Sequence, residues 1–312
     1  MKQFTLLFFA ILLGAGATLG QQFPIRSLGM LNPFQDHPAA AGSRECLDMH
    51  MGFRNQWSGF EGAPTTGFAN LHGKLQTNGP NFSGIGGRIV TDEAAAWSSL
   101  MISLAYSYNL KLTNGSRLAA GLGLGVFQQR LNWSGIELPD PQVQVSDDPA
   151  FVGASQLVAP LLDASVWYYN RDFYGGLTIG NMTQPAVSQV AGSTRLRRYV
   201  TATAGAQVEI DGPWTLQPVA TVRAASGVPV AVDLAAFMDY NGVFGIGAGY
   251  RNQSALMAMF KVSIAEYISV GYAYDWTLST LNAASPTTHE LVIAINACDG
   301  NPHGAISCPA YN

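Results

Sequence analysis

The run FRNQWSGFEGAPTT, residues 53–66, sets a guanidinium, two amides and an indole side by side ahead of two glycines and a proline. Arg54 brings five fixed donors and Gln56 an amide. In an extended segment these two share one face, while Asn55 and Trp57 take the other. The chemistry open to such a group is contact, not bond making. In one reading the inward pair holds a partner peptide or an N-terminal plug. In the other, Arg54 fills a polar lumen by pairing with a carboxylate such as Asp275 or Glu266, and Trp57 anchors at an interface. Gly59, Gly62 and Pro64 make a tight, rigid link into the next strand, where bulkier residues would force the turn open.

Other reactive side chains lack a catalytic arrangement. The five histidines, His37, His50, His72, His289 and His303, show no metal-ligand spacing, and no HExxH is present. His289 and Glu290 are adjacent, so a strand sends them to opposite faces. GLGLG at 121–125 and GIGGR at 84–88 lie in alternating strands and read as small inward residues that leave room in a lumen, not as nucleotide loops. No catalytic, cofactor or metal site is therefore expected. Cys298 and Cys308 flank NPHGAIS in a tail, and in an oxidising compartment they favour a short-loop disulfide. The rival is Cys46–Cys298, since first and last strands are neighbours in a closed barrel.

The elements that position these residues are strands. Residues 1–20 carry Lys2, an apolar run from Phe4 to Leu13 and small residues before Gly20, which predicts a cleaved secretory signal. An N-terminal segment over 21–45 follows, then a barrel over 46–297 and a tail over 298–312. Only 12% of residues are charged, Gly numbers 34, and the net charge is -4 with no basic run. That composition argues against nucleic acid as a partner and for a barrel bathed in lipid. Leu100, Ile102, Leu104, Tyr106, Tyr108, Leu110 and Leu112 alternate with Ser, Met, Ala, Asn and Lys, a period of two held over thirteen residues. Aromatics gather at strand ends, as at Tyr106/Tyr108, Tyr168/Tyr169 and Tyr272/Tyr274/Trp276, like the girdles of an outer-membrane barrel. A soluble sandwich could share the alternation but would show more surface charge.

Fourteen strand segments follow, near 46–56, 65–76, 83–91, 97–112, 116–130, 161–170, 172–182, 194–211, 213–224, 229–239, 242–251, 254–264, 266–277 and 287–297. An even count closes an all-β, antiparallel, up-and-down transmembrane barrel. Short turns at Thr113–Gly115, Asn170–Asp172, Asp211–Pro213 and Asn252–Gln253 are expected on the periplasmic side, and the long link from Asn132 to Pro160 outside the cell.

Several motifs together resemble the PorP/SprF family of type IX secretion. They are the 53–66 run, LNPFQDHPAAAGS at 31–43 with His37 in place of the usual Asn, GIGGRIV at 84–90, and DASVWYYNRDFYGGLTIGNMTQP at 163–185. Then come VDLAAF at 232–237, GAGYR at 247–251, VGYAYDW at 270–276 and HELVIAIN at 289–296. The resemblance implies a fourteen-strand barrel in the outer membrane of a Bacteroidota-type cell. It implies a non-enzymatic role in exporting and attaching a large secreted adhesin that bears a type B C-terminal domain. The periplasmic ring proteins of the machine are further partners it implies. The residues alone leave a second reading open, a diffusion porin or lipophile channel, whose lumen should oppose acid and base. The inward phase, mostly Ser, Gly and Ala, leaves space for a protein segment and favours the tether.

Overall fold

The computed structural model describes residues 25–44, 46–75, 79–132, 156–186, 195–265, 267–279 and 287–297, with 282 and 309 singly. The predicted signal, Glu266, Cys298, His303, Cys308 and most of the 132–160 link lie outside the described residues. The strands are β1 (Leu47–Asn55), β2 (Thr65–Leu75), β3 (Phe82–Ala94), β4 (Trp97–Lys111), β5 (Arg117–Leu131), β6 (Gln156–Tyr169) and β7 (Phe173–Gly180). They continue as β8 (Tyr199–Ala206), β9 (Val208–Asp211), β10 (Trp214–Ala225), β11 (Val228–Tyr240), β12 (Phe244–Arg251), β13 (Ala255–Ala265), β14 (Ile268–Thr277) and β15 (Thr287–Ala297). Each pairs antiparallel with its neighbours, and β15 pairs with β1 from Ala297↔Leu47 to His289↔Asn55, which closes the ring. β8 and β9 both pair with β10 and are halves of one stave broken at Gln207, so the barrel has the fourteen staves expected.

Alternation decides which side of each strand meets lipid. Leu104 is 70% exposed and its strand-mate Ser107 is fully buried, so the apolar phase of β4 faces out and the small phase faces in. Tyr106, Tyr108, Tyr272 and Trp276 follow the outward phase. Tyr169 departs from the expected girdle: one position past outward Tyr168, it is buried in the lumen beside Trp167 and donates to Asn109 at 3.2 Å.

Two other expectations are corrected. β6 starts at Gln156, ahead of the predicted 161, and carries Pro160 within it. β6 pairs with β7 only from Ala164 onward, so Pro160 has no ladder on that side that needs its missing N–H. The turn after Arg251 lies on the rim opposite Thr113–Gly115, because strands of an up-and-down barrel alternate direction and β12 ends where β1 ends. Asn252, Gln253 and Ser254 accordingly line one cavity with Gln56 and Trp57. This end of the barrel, which also bears the 132–155 connection, is the signature rim.

The lumen is filled by the chain's own residues 25–44. They form three short 3₁₀ turns, Gly29–Leu31, Pro33–Gln35 and Pro38–Ala40, the last two opened by a proline at the first helical position. Phe34 and Ala39–Ala41 are completely buried against Ala105, Ala119, Trp167 and Tyr174, and Leu28 packs with Phe68, Phe237 and Met259. The wall is cut to fit them. A Cβ on Gly121 would sit 2.5 Å from the backbone of Ala39, one on Gly86 would sit 2.5 Å from the Phe34 ring, and one on Gly84 would strike the Ala41 carbonyl. The small inward residues do leave room, and the N-terminal segment occupies it, not a cargo.

Overpacking a filled site costs about 1–3 kcal/mol. Gly121→Leu is therefore expected to leave the barrel assembled, by its heat-modifiable gel migration, while exposing the 25–44 segment to added protease several-fold faster than in the parent.

Candidate functional site

Inward parity places Asp48, His50, Gly52 and Arg54 of β1 in the lumen, and the pairing register sets Arg54 directly opposite Glu290 of β15. Arg54 donates to Asp275 Oδ2 at 2.7 Å and to Glu290 Oε2 at 3.0 Å. Asp275 also meets Arg251 at 3.4 Å, Arg251 meets Asp233 at 2.8 Å, and Asp233 meets Arg223 at 2.6 Å. Arg223 reaches Asp36 at 3.1 Å, and Asp36 meets Arg26 at 2.6 Å. Charges of opposite sign thus alternate without a break from the barrel wall to the plug, and every ion between Glu290 at one end and Arg26 at the other faces a counter-ion on two sides.

The same carboxylates hold the plug backbone. Glu290 accepts from the amides of Ser27 at 2.7 Å and Leu28 at 3.1 Å. Ser27 Oγ donates to Asp275 at 2.7 Å and accepts from Arg54 at 3.0 Å. A second anchor lies across the lumen, where Arg88 donates to Asp163, to Ser103 and to the Gln35 carbonyl, each at 3.0 Å. Further along, Ser165 accepts from the Ala39 amide at 2.6 Å and Ser107 donates to the Ala41 carbonyl at 2.7 Å. The Gly42 amide donates to His72 Nδ1 at 3.2 Å, so Nε2 carries the proton that faces Asp48 at 3.2 Å.

Two plug groups are tuned by this setting. Burial would raise the Asp36 carboxyl, but the Arg26 and Arg223 guanidiniums overcome it and hold Asp36 well below the usual carboxylate range. His37 bridges Thr178 at 2.8 Å and Thr203 at 2.9 Å, and burial pushes its pKa down to about 4, with Asp36 pulling the other way.

Of the residues singled out in the sequence, Arg54 meets the anticipated Asp275; Glu290, its second partner, was missed. The signal was present, since Glu290 shares the inward phase of HELVIAIN with Val292 and Ala294, and it is 1% exposed. Asn55 ends β1, half-buried, opposite Thr65 and His289. Trp57 does not take the face opposite Gln56. The strand has ended, Trp57 sits in the left-handed region at φ 53, and both side chains line the signature-rim cavity. Gly59 at φ 95 and Gly62 at φ 72 hold the turn in a region that side chains rarely adopt. The Pro64 carbonyl accepts from the Gln56 amide at 2.9 Å and closes the loop. Cys46 is disulfide-bonded. Cys298 and Cys308, the pair favoured from the sequence, lie outside the described residues. The inward face is also more charged than expected: Ser, Gly and Ala dominate β3 to β5, but Arg88 of β3 pairs with Asp163 of β6, and β10 to β15 carry further ion pairs.

A depressed histidine pKa stabilises the fold while the imidazole is neutral. Its contribution is complete above the unfolded value near 6.5 and is lost as pH falls toward 4, by roughly 3 kcal/mol. His37→Asn should abolish that acid-side loss, read as unfolding midpoint against pH from 7 to 4. An unchanged slope would show that other groups carry it.

The Omp33 outer membrane protein of Acinetobacter baumannii is similar in architecture at 10% identity, covering 82% of this chain and 99% of that one, with a TM-score of 0.46. A triple mutant of the Rhodopseudomonas blastica porin matches at 10% identity over 80% of this chain and 98% of that one, with a TM-score of 0.35. At these scores neither likeness bears on what this chain does. No curated protein matches it. Residues 19–295 match the family described as "Type IX secretion system membrane protein PorP/SprF". That match spans the plug, the ion-paired wall and all but the end of the last strand, and the chain belongs to the PorP/SprF family of type IX secretion system membrane proteins.

Proposed function

We propose that this outer-membrane barrel is a non-enzymatic tether of the type IX secretion system, supporting export and surface attachment of a large adhesin through its type B C-terminal domain. The observation that carries the reading is the filled lumen: residues 25–44 occupy it and are bonded to the wall along their length. A diffusion porin needs acid and base facing open water. Here the opposed charges are contact pairs closed on one another and on the plug. The channel reading loses its support, and the rims remain as the places where a partner can bind.

The signature divides accordingly. Arg54, 4% exposed and bonded through both terminal nitrogens, positions the plug. Asn55, Gln56 and Trp57 stand at the mouth, where Gln56 and Trp57 wall a cavity of about 640 Å³. These are the contact candidates for the adhesin, with Trp57 the natural anchor because a large aromatic buries much area at small entropic cost. The 132–155 connection shares this rim and is the longest link between strands, so we assign the rim to the cell exterior. The opposite rim then faces the periplasmic ring components, and the outward apolar face meets outer-membrane lipid.

Losing an aromatic anchor costs about 2 kcal/mol or more, roughly thirtyfold in affinity. Gln56→Ala with Trp57→Ala should therefore cut recovery of a very large surface protein on the purified barrel at least tenfold, with barrel abundance unchanged. Undiminished recovery would remove the signature rim from the contact, and robust ion conductance by the parent barrel would restore the channel reading.

A further inference from the structure

Asp92 stands apart from the ion pairs that fill the lumen. The relay from Glu290 to Arg26 holds as many guanidiniums as carboxylates, and Arg88 closes on Asp163, so both groups are neutral without it. Inward parity sets Asp92, half-buried, near the end of β3 and directly opposite Thr66, whose hydroxyl donates to Oδ1 at 2.6 Å. No cation among the described residues pairs with it. A carboxylate withdrawn from water without a counter-ion is costly, and a cation that joins it offsets the cost.

That carboxylate walls the 640 Å³ vestibule together with Gln56 and Trp57. Asp275 walls it too, 2% exposed, with an Oδ1 that accepts no hydrogen bond among the described residues. Arg54 and Arg251 border the same space, each already set between two carboxylates. Arg195, Arg197 and Arg198 of this rim donate to backbone carbonyls instead. The connection 132–155 carries Glu137, Asp140, Asp147 and Asp148 in its sequence and no Lys or Arg, so it brings acid to the rim and no counter-ion.

We propose that the vestibule is the binding site for a cationic side chain of the secreted partner, a lysine or arginine that takes Asp92 as its counter-ion. The site rests on the adhesin contact assigned to this rim above and gives that contact its chemistry. Trp57 offers the cation a ring face, Gln56 an amide oxygen, and the acidic connection draws a positively charged segment toward the mouth.

Asp92→Asn keeps the side-chain shape and the acceptor for Thr66 and removes only the charge. Recovery of the very large surface protein on purified full-length barrels is compared for the parent, Asp92→Asn and the Gln56→Ala, Trp57→Ala double variant, between about 0.1 and 0.5 M salt. Asp92→Asn should cut recovery about tenfold at the low end and flatten its fall with salt, with protease cleavage of 25–44 unchanged. N-acetylarginine amide should compete on the parent, and its neutral isostere N-acetylcitrulline amide should not. Recovery by Asp92→Asn equal to the parent's, alongside loss in the double variant, would overturn the cation site and leave the rim contact standing. Undiminished recovery by both would remove the rim contact as well. Equal effects of the two amides would also overturn the site, and this arm decides it even where Asp92→Asn folds poorly.

Discussion

Arg54 and its two carboxylates govern the interior of this barrel. Asp275 and Glu290 are 2% and 1% exposed, and each would be prohibitively costly to bury without a cation. Removing one partner of such a pair costs about 3–5 kcal/mol because the other charge is stranded. Arg54 supplies the cation, the Ser27 and Leu28 amides donate to Glu290, and the Ser27 hydroxyl donates to Asp275 Oδ2. The plug is thus part of the electrostatic solution of the wall. Neither is satisfied alone, and the relay through Arg251, Asp233, Arg223 and Asp36 extends the dependence across the lumen.

Shape completes what charge begins. The ion pairs concentrate on β10 to β15 and β1, whereas the facing β3 to β5 present Gly84, Gly86, Ala105, Ala119, Gly121 and Gly123. The plug is accordingly held by the charged network on one side and nested among small residues on the other, where Arg88 and Asp163 form a second anchor. Trp167, its ring tilted against those of His37 and Tyr174 with centroids 5.0 Å and 5.4 Å away, fills the space between. A barrel so filled fits the tether proposed above better than an open channel.

The staves were legible because strands announce themselves twice, by the period of two and by turn residues, and the count of fourteen needed only those. Arg54 and Asp275 were also legible, since both belong to inward phases and carry opposite charge. The plug was not. Residues 25–44 have no strand or helix period, and the short 3₁₀ turns opened by Pro33 and Pro38 are held by side chains far along the chain, such as Arg88 at Gln35 and Ser165 at Ala39. Glu290 hid beside His289, which drew attention for its own chemistry although it faces outward to Tyr272 at 2.7 Å. Trp57 was misread because the period of two was carried past Asn55, where the backbone turns left-handed.

That plug and wall form one cooperative unit is most directly tested by amide hydrogen exchange on the native barrel, read at Ser27, Leu28, Ala39 and Gly42. If the plug is structural, these amides exchange as slowly as those in the middle of β4 and β5 and slow together. Exchange at the rate of an unstructured peptide, with the strands still protected, would contradict it and reopen the lumen to other occupants.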